Sequence, residues 1–143
     1  MFTVTKTWKD LPAAHRQPGH GGHCRLIHGH DWQFDITFKC DELDKNHFVV
    51  DVGELKAVRK FLEDTFDHTL LINEADVVRE DKEWFEKLEL FAKVVTVPNC
   101  GMEGLAQYVL TEVNRIVSLF GRGLHVVEVV CWEDSKNRAT YRA

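Results

Sequence analysis

The chain has 143 residues, enough for one domain and too few for two of ordinary size. Hydrophobic residues make up 44% and charged residues 29%, with nine glycines and three prolines, which excludes a disordered, collagen-like or low-complexity chain. Its 23 acidic and 18 basic residues give a net charge of −5, which disfavours nucleic-acid and anionic-membrane surfaces, and no apolar run approaches the ~18 residues of a bilayer span.

In chain order, Phe2, Val4 and Trp8 alternate with Thr3, Thr5 and Thr7 and predict a first strand. Residues 9–23, rich in Gly, Pro and His, read as a loop. From His28 the alternation sharpens: His28, His30, Trp32, Phe34, Ile36, Phe38 and Cys40 share one face of a strand, and Asp31, Gln33, Asp35, Thr37 and Lys39 the other. Asp41 to Lys45 reads as a turn, and His47 to Val50 as a resumed strand. Asp51 is the expected N-cap of a helix with Glu54 as capping-box partner, and Val52, Leu55, Val58, Leu62 and Phe66 form its apolar stripe. Residues 80–91 predict a short amphipathic helix and Val94 to Val97 a brief strand. A second long helix begins near Glu103, with Leu105, Val109, Val113, Ile116 and Phe120 as its stripe and Gly121 as its stop. Leu124 to Glu133 predicts a buried strand, and Ala139 to Arg142 a last strand that pairs back on it. The order implies one α+β domain over residues 1–143, built on a mainly antiparallel sheet.

Met1 to Lys6 holds no apolar signal core, so a cytoplasmic chain is the expectation, and the four cysteines Cys24, Cys40, Cys100 and Cys131, with no CxxC pair, read as free thiols. Five of the eight histidines fall between His15 and His30. His28 and His30, two apart on a strand, project from one face about 6.6 Å apart and can converge on one ion. A catalytic zinc needs three protein ligands and an open position. The third ligand is His15, His20 or His23, and spacing alone does not choose among them. Cys24, four residues before His28, is either a small buried hydrophobe or a thiol whose pKa a neighbouring zinc lowers. His68 is either a favourable charge near a helix C-terminus or an imidazole oriented by Asp67 for proton exchange. Glu133, sharing a face with His125, Val127, Val129 and Cys131, is a strand end reaching solvent or an acceptor for a two-amino-pyrimidine edge. Glu103, at a helix start, first satisfies the helix dipole.

Taken together, Ala13-Ala14-His15, Cys24-x-x-x-His28-Gly29-His30, Val50-Asp51-x-x-Glu54-Leu55-Lys56, Phe66-Asp67-His68-x-x-Leu71-x-Asn73, Glu103-x-Leu105-Ala106, and Trp132-Glu133 followed by Tyr141 resemble the 6-pyruvoyl-tetrahydropterin and 6-carboxytetrahydropterin synthase family. The resemblance implies a tunnelling fold, an antiparallel sheet with two long helices on one face, whose sheets close into barrels in a homo-hexamer of two stacked trimers. It implies zinc on His15, His28 and His30, a proton-transfer group of Cys24, Asp67 and His68, and a pterin held by Glu133 and Glu103. The implied substrate is a small pterin triphosphate. The spacing of Cys24, the run from Lys87 to Pro98 and Trp132-Glu133 look more like the carboxy-forming branch of queuosine biosynthesis; pyruvoyl formation and side-chain cleavage are the alternatives within the family, and a non-catalytic metal- or pterin-binding module is the alternative outside it. Two places depart from the family pattern: Asn99-Cys100-Gly101-Met102-Glu103 stands where the family carries a threonine-containing Pro-Thr-x-Glu-like element, and Asp134 replaces the threonine after the pterin-anchoring glutamate. Arg16 and Arg25 are candidates for the triphosphate by position.

Overall fold

A computed structural model of the chain describes residues 1–143. Its centre is an antiparallel pair, β1 (Thr3–His15) and β2 (His28–Lys39). β1 is far longer than its alternation suggests, and the expected loop over residues 9–23 shrinks to the stretch after His15. The reason is a β-bulge. Trp8 lies opposite Phe34 and Leu11 opposite Trp32, so one extra residue stands in β1, where Asp10 takes a left-handed φ of 62°. The bulge switches the inward face from the even residues Val4 and Trp8 to the odd residues Leu11, Ala13 and His15.

The chain then runs through α1 (Lys56–Phe66), β3 (Thr69–Asn73), α2 (Lys82–Lys87), β4 (Lys93–Val97), α3 (Met102–Val117), β5 (His125–Trp132) and β6 (Arg138–Arg142). The six strands form one sheet in the order β4-β3-β1-β2-β5-β6. The β1–β2, β2–β5 and β5–β6 pairings are antiparallel, as expected, whereas β1–β3 and β3–β4 are parallel, so the sheet is mixed. β3 escapes the alternation rule because both its faces are covered. Leu71 joins the main core, and Leu70 and Ile72 pack with Val94 beneath Phe85 of α2, Val78 and Phe91.

α1 lies over β1 and β3, α3 over β5 and β6, and the two helices touch. Their buried stripes (Val58, Leu62 and Phe66; Leu105, Val109, Val113 and Val117) close on the inward face of β2, where Trp32, Phe34, Ile36 and Phe38 are fully buried. Each such side chain contributes roughly 1.5–3 kcal/mol relative to exposure. Phe34 against Phe66, with ring centroids 4.7 Å apart, ties β2 to α1. The outward face of β1 and β2 is polar: Thr5 bonds Thr37, and Asp35 accepts from Thr7, Gln33 and the Trp132 indole.

Four local expectations are corrected. Residues 47–50 form no strand; Asp44 accepts the Asn46 and Phe48 amides in a turn that still buries Val49 and Val50. Asp51 caps a 3₁₀ turn (Val52–Glu54) by accepting the Gly53 amide, which delays α1 to Lys56 and leaves Val52 exposed. The segment over residues 80–91 is helical only from Lys82 to Lys87, after a 3₁₀ turn from Val77 to Asp81. In β5, Thr37 faces Glu128 and Phe38 faces Val126, so Val127 is an extra residue. That second bulge turns His125 and Val127 away from the face of Val129 and Cys131. Gly121 ends the helical run after α3 with a left-handed φ of 72°. All four cysteines are free, and no helix is long and apolar enough to cross a membrane.

Candidate functional site

The bulge in β1 sets the site. With parity switched, His15 is the direct cross-strand partner of His28, and Ala13 that of His30, so all three imidazoles leave the sheet on the inward side. Ring centroids are 4.7 Å apart for His15–His28, 5.1 Å for His15–His30 and 4.9 Å for His28–His30. One ring nitrogen from each lies within 4.8 Å of the others. Of the three loop histidines that spacing left open, the structure selects His15; His20 instead accepts the Gly22 amide on Nδ1 at 2.8 Å.

Backbone carbonyls decide which nitrogens face the centre. Nδ1 of His15 is 2.6 Å from the Cys100 oxygen, and Nδ1 of His28 is 2.7 Å from the Leu26 oxygen. A carbonyl only accepts, so each Nδ1 carries the proton and each Nε2 presents a lone pair. Those two Nε2 atoms are 3.2 Å apart. Two lone pairs at that distance repel unless a proton or a cation lies between them. Ligand nitrogens around a tetrahedral zinc, each ~2.0–2.1 Å from the ion, sit about 3.3 Å from one another. His15 resists protonation: burial, opposed by the Cys100 carbonyl and reinforced by His28 and His30, lowers its pKa to about 4. Three imidazole nitrogens in this arrangement suit a borderline-soft divalent cation with a position left for substrate.

Glu133 follows the end of β5, and its Oε2 lies 3.8 Å from Nε2 of His30. His30 and Glu133 border a cleft of about 430 Å³ with Asp31, Gln33, Trp132, Asp134 and Ser135. A second cleft, of about 670 Å³, lies between β1 and the turn before β4, and both His30 and His68 border it. His68 has a left-handed φ of 54°, fixed by its amide donating to the Pro12 carbonyl and its own carbonyl accepting from Ala92. Its Nδ1 is 2.7 Å from Asp67 Oδ1, so the Asp67 carboxylate accepts from Nδ1–H and orients the ring.

Two expected residues border neither cleft. Cys24 sits exposed on a 3₁₀ turn (His23–Arg25) and lines neither cleft. Glu103 is exposed in the first turn of α3; together with Glu133 it lies close enough to Cys131 to reinforce the effect of burial, which holds that thiol well above its usual pKa. Arg16, a candidate triphosphate cation, is instead held by Asp76 through two bonds of 2.7 Å. Arg25 donates to the Gly22 carbonyl.

The departures from the family pattern have local explanations. The Asp134 carboxylate accepts the Asn137 side chain and the Lys136 and Asn137 amides, which lowers its pKa and ties it to its own loop at the edge of the cleft that His30 and Glu133 border. A Cβ on Gly101 would lie 2.7 Å from Gln17 Nε2, so Gln17 occupies the space a larger residue there would need. Cys100, read from the sequence only as a free thiol, contributes the carbonyl that orients His15. No side-chain pattern signals a backbone contribution of that kind.

A family model described as 6-pyruvoyl tetrahydropterin synthase matches residues 3–143. The chain belongs to this family. It is similar to 6-carboxy-5,6,7,8-tetrahydropterin synthases of Rickettsia felis (32% identical, over 56% of this chain and 55% of that one), Bacillus subtilis (35%, over 59% and 57%) and Aquifex aeolicus (29%, over 83% and 75%). The chain spans about half the length of the first of these relatives. Among solved structures it is similar to an uncharacterized protein from Wolinella succinogenes (TM-score 0.81, 20% identity, 99% of this chain and 97% of that one). It is also similar to the 6-pyruvoyl tetrahydropterin synthase of Caenorhabditis elegans (0.63, 23%, 100% and 97%). The fold is therefore the expected α+β tunnelling fold.

Proposed function

We propose that the chain is a zinc-dependent 6-carboxytetrahydropterin synthase. It takes 7,8-dihydroneopterin triphosphate and water to 6-carboxy-5,6,7,8-tetrahydropterin, acetaldehyde and triphosphate, a cytoplasmic lyase step toward queuosine and related 7-deazapurines. The observation that carries this reading is the convergence of His15, His28 and His30 beside the Glu133 carboxylate. Its support from relatives is that the similar proteins of Rickettsia felis, Bacillus subtilis and Aquifex aeolicus bear this enzyme's name.

His15, His28 and His30 would hold the zinc, which would supply Lewis-acid polarisation of the substrate's side-chain hydroxyls. Glu133 accepts two parallel N–H bonds from the amino-pyrimidine edge of the pterin, and Glu103 supports the same end. Asp67 holds His68 as the Nδ1–H tautomer, leaving its Nε2 to take and return a proton. The Cys24 thiolate removes a side-chain proton. Because Cys24 lines neither cleft, the reading includes a second subunit that completes the proton-transfer group. Two stacked trimers with barrel-closed sheets supply one, and would also cover the free edges that β4 and β6 leave in a single chain.

The test is to incubate the zinc-loaded protein with dihydroneopterin triphosphate and read the products by mass. Carboxytetrahydropterin with acetaldehyde supports the reading. A pyruvoyl product or simple side-chain cleavage replaces it with another branch, and intact substrate overturns it. Cys24→Ala is expected to abolish turnover while retaining one zinc per chain.

A further inference from the structure

His15 is the most enclosed of the three imidazoles, 3% exposed, and one bond sets its ring orientation, that from Nδ1–H to the Cys100 carbonyl. Cys100 lies in the connection over residues 98–101 between β4 and α3, where no strand ladder fixes its peptide. Something else must hold that carbonyl in place. The Cys100 amide donates to Oδ1 of Asn73 at 2.5 Å, and its thiol to the Arg16 carbonyl at 3.4 Å. Asn73 ends β3, a strand flanked on both sides in the sheet, and is 6% exposed. Its own Nδ2 donates to Gln17 Oε1 at 3.4 Å. A relay therefore runs from the rigid end of β3 through the Asn73 side chain and the Cys100 peptide to the ring of His15.

We propose that Asn73 is a positioning residue for the metal centre: by fixing the Cys100 peptide it keeps His15 in the tautomer and orientation that aim Nε2 at the partners His28 and His30. This deepens the reading of the three histidines as a metal site and rests on it. The acceptor oxygen of Asn73 carries the role, while its weaker Nδ2 contact to Gln17 is secondary. The partner bonded directly to a metal-bound imidazole is worth about 10- to 100-fold in metal affinity, and Asn73 acts on that partner, the Cys100 carbonyl.

The experiment compares Co²⁺ and Zn²⁺ affinity, by chelator competition, in the wild-type chain, Asn73→Ala and Asn73→Asp, each confirmed folded by near-ultraviolet circular dichroism. Asn73→Ala is expected to weaken both metals about 10- to 100-fold, whereas Asn73→Asp, which keeps the acceptor and loses the donor, stays within about threefold of wild type. In the metal-free protein, the downfield proton resonance of the hydrogen-bonded His15 Nδ1–H is expected in the wild type and Asn73→Asp and absent in Asn73→Ala. If Asn73→Ala does not fold, Asn73→Ser replaces it, since its hydroxyl is too short to reach the Cys100 amide. Equal affinities in wild type and Asn73→Ala overturn the proposal, as do equal losses in both variants. A wild-type chain that binds neither metal refutes the metal-site reading itself.

Discussion

Acid should destabilise the metal-free chain through His15 before its ordinary carboxylates titrate. Burial holds the folded pKa of His15 at about 4 against an ordinary 6.5. Between those values the unfolded chain takes a proton that the folded chain refuses, so stability falls as pH drops through this window. The effect is absent above about pH 6.5 and saturates below about pH 4, where the shift amounts to about 3 kcal/mol. At about pH 5 the same two pKa values give a loss of about 2 kcal/mol. His15→Asn removes the titration while keeping an N–H donor able to face the Cys100 carbonyl. Urea unfolding of both proteins, in excess chelator at about pH 7.5 and about pH 5, isolates the term. The stability of the wild type relative to the variant should drop by about 2 kcal/mol between the two conditions. Parallel pH profiles for the two proteins would refute the reasoning, because they would mean that folded His15 accepts its proton as readily as the unfolded chain does.

Glu133→Gln replaces an acceptor oxygen with a donor, so kcat/KM on the pterin triphosphate should fall about 100-fold with zinc content unchanged; loss of zinc would place Glu133 among the ligands instead. At the β1 bulge, where Asp10 has a φ of 62°, Asp10→Gly should leave stability equal or higher, and Asp10→Val should cost about 1–2 kcal/mol by thermal unfolding. Asp76→Asn breaks the bidentate pair with Arg16, whose carboxylate partner is 1% exposed, and should cost about 2 kcal/mol at neutral pH. The Arg16 guanidinium holds the Asp76 carboxyl below its usual range, so this contribution is present above the ordinary carboxyl pKa and disappears as pH falls through the lowered one. The Asp76→Asn penalty should therefore shrink only in strong acid, in a window separate from that of His15.

How far the site could be read from sequence depended on whether each strand kept its parity. β2 runs unbroken, so the alternation from His28 to Phe38 gave both the strand and the shared face of His28 and His30. The helices were legible for the same reason, since the stripes in α1 and α3 each hold one period. β3 was not: five residues covered on both sides carry no alternation, and a run of that length is ambiguous between strand and buried helix. β1 failed differently. Its inward set changes from Val4 and Trp8 to Leu11, Ala13 and His15, so a strict period of two ends the strand at Trp8 and consigns His15 to a loop.

That failure and the site have one cause. Had β1 continued without its extra residue, position 15 would point to the polar face with Thr5 and Thr7, and no third imidazole would meet His28 and His30. The sequence does contain the signal in another form: two apolar sets of opposite parity separated by Asp10, a residue type that tolerates the left-handed region. The same signature recurs in β5, where Val126 and then Val129 and Cys131 are buried on either side of the extra Val127. Without that bulge, the parity that sets Cys131 against the core and Glu133 beside His30 would be reversed. Each bulge thus turns one functional side chain, a candidate ligand in one strand and a candidate pterin anchor in the other, onto the face that β2 already presents. Parity switches of this kind therefore mark where a regular sheet has been adapted to build a site.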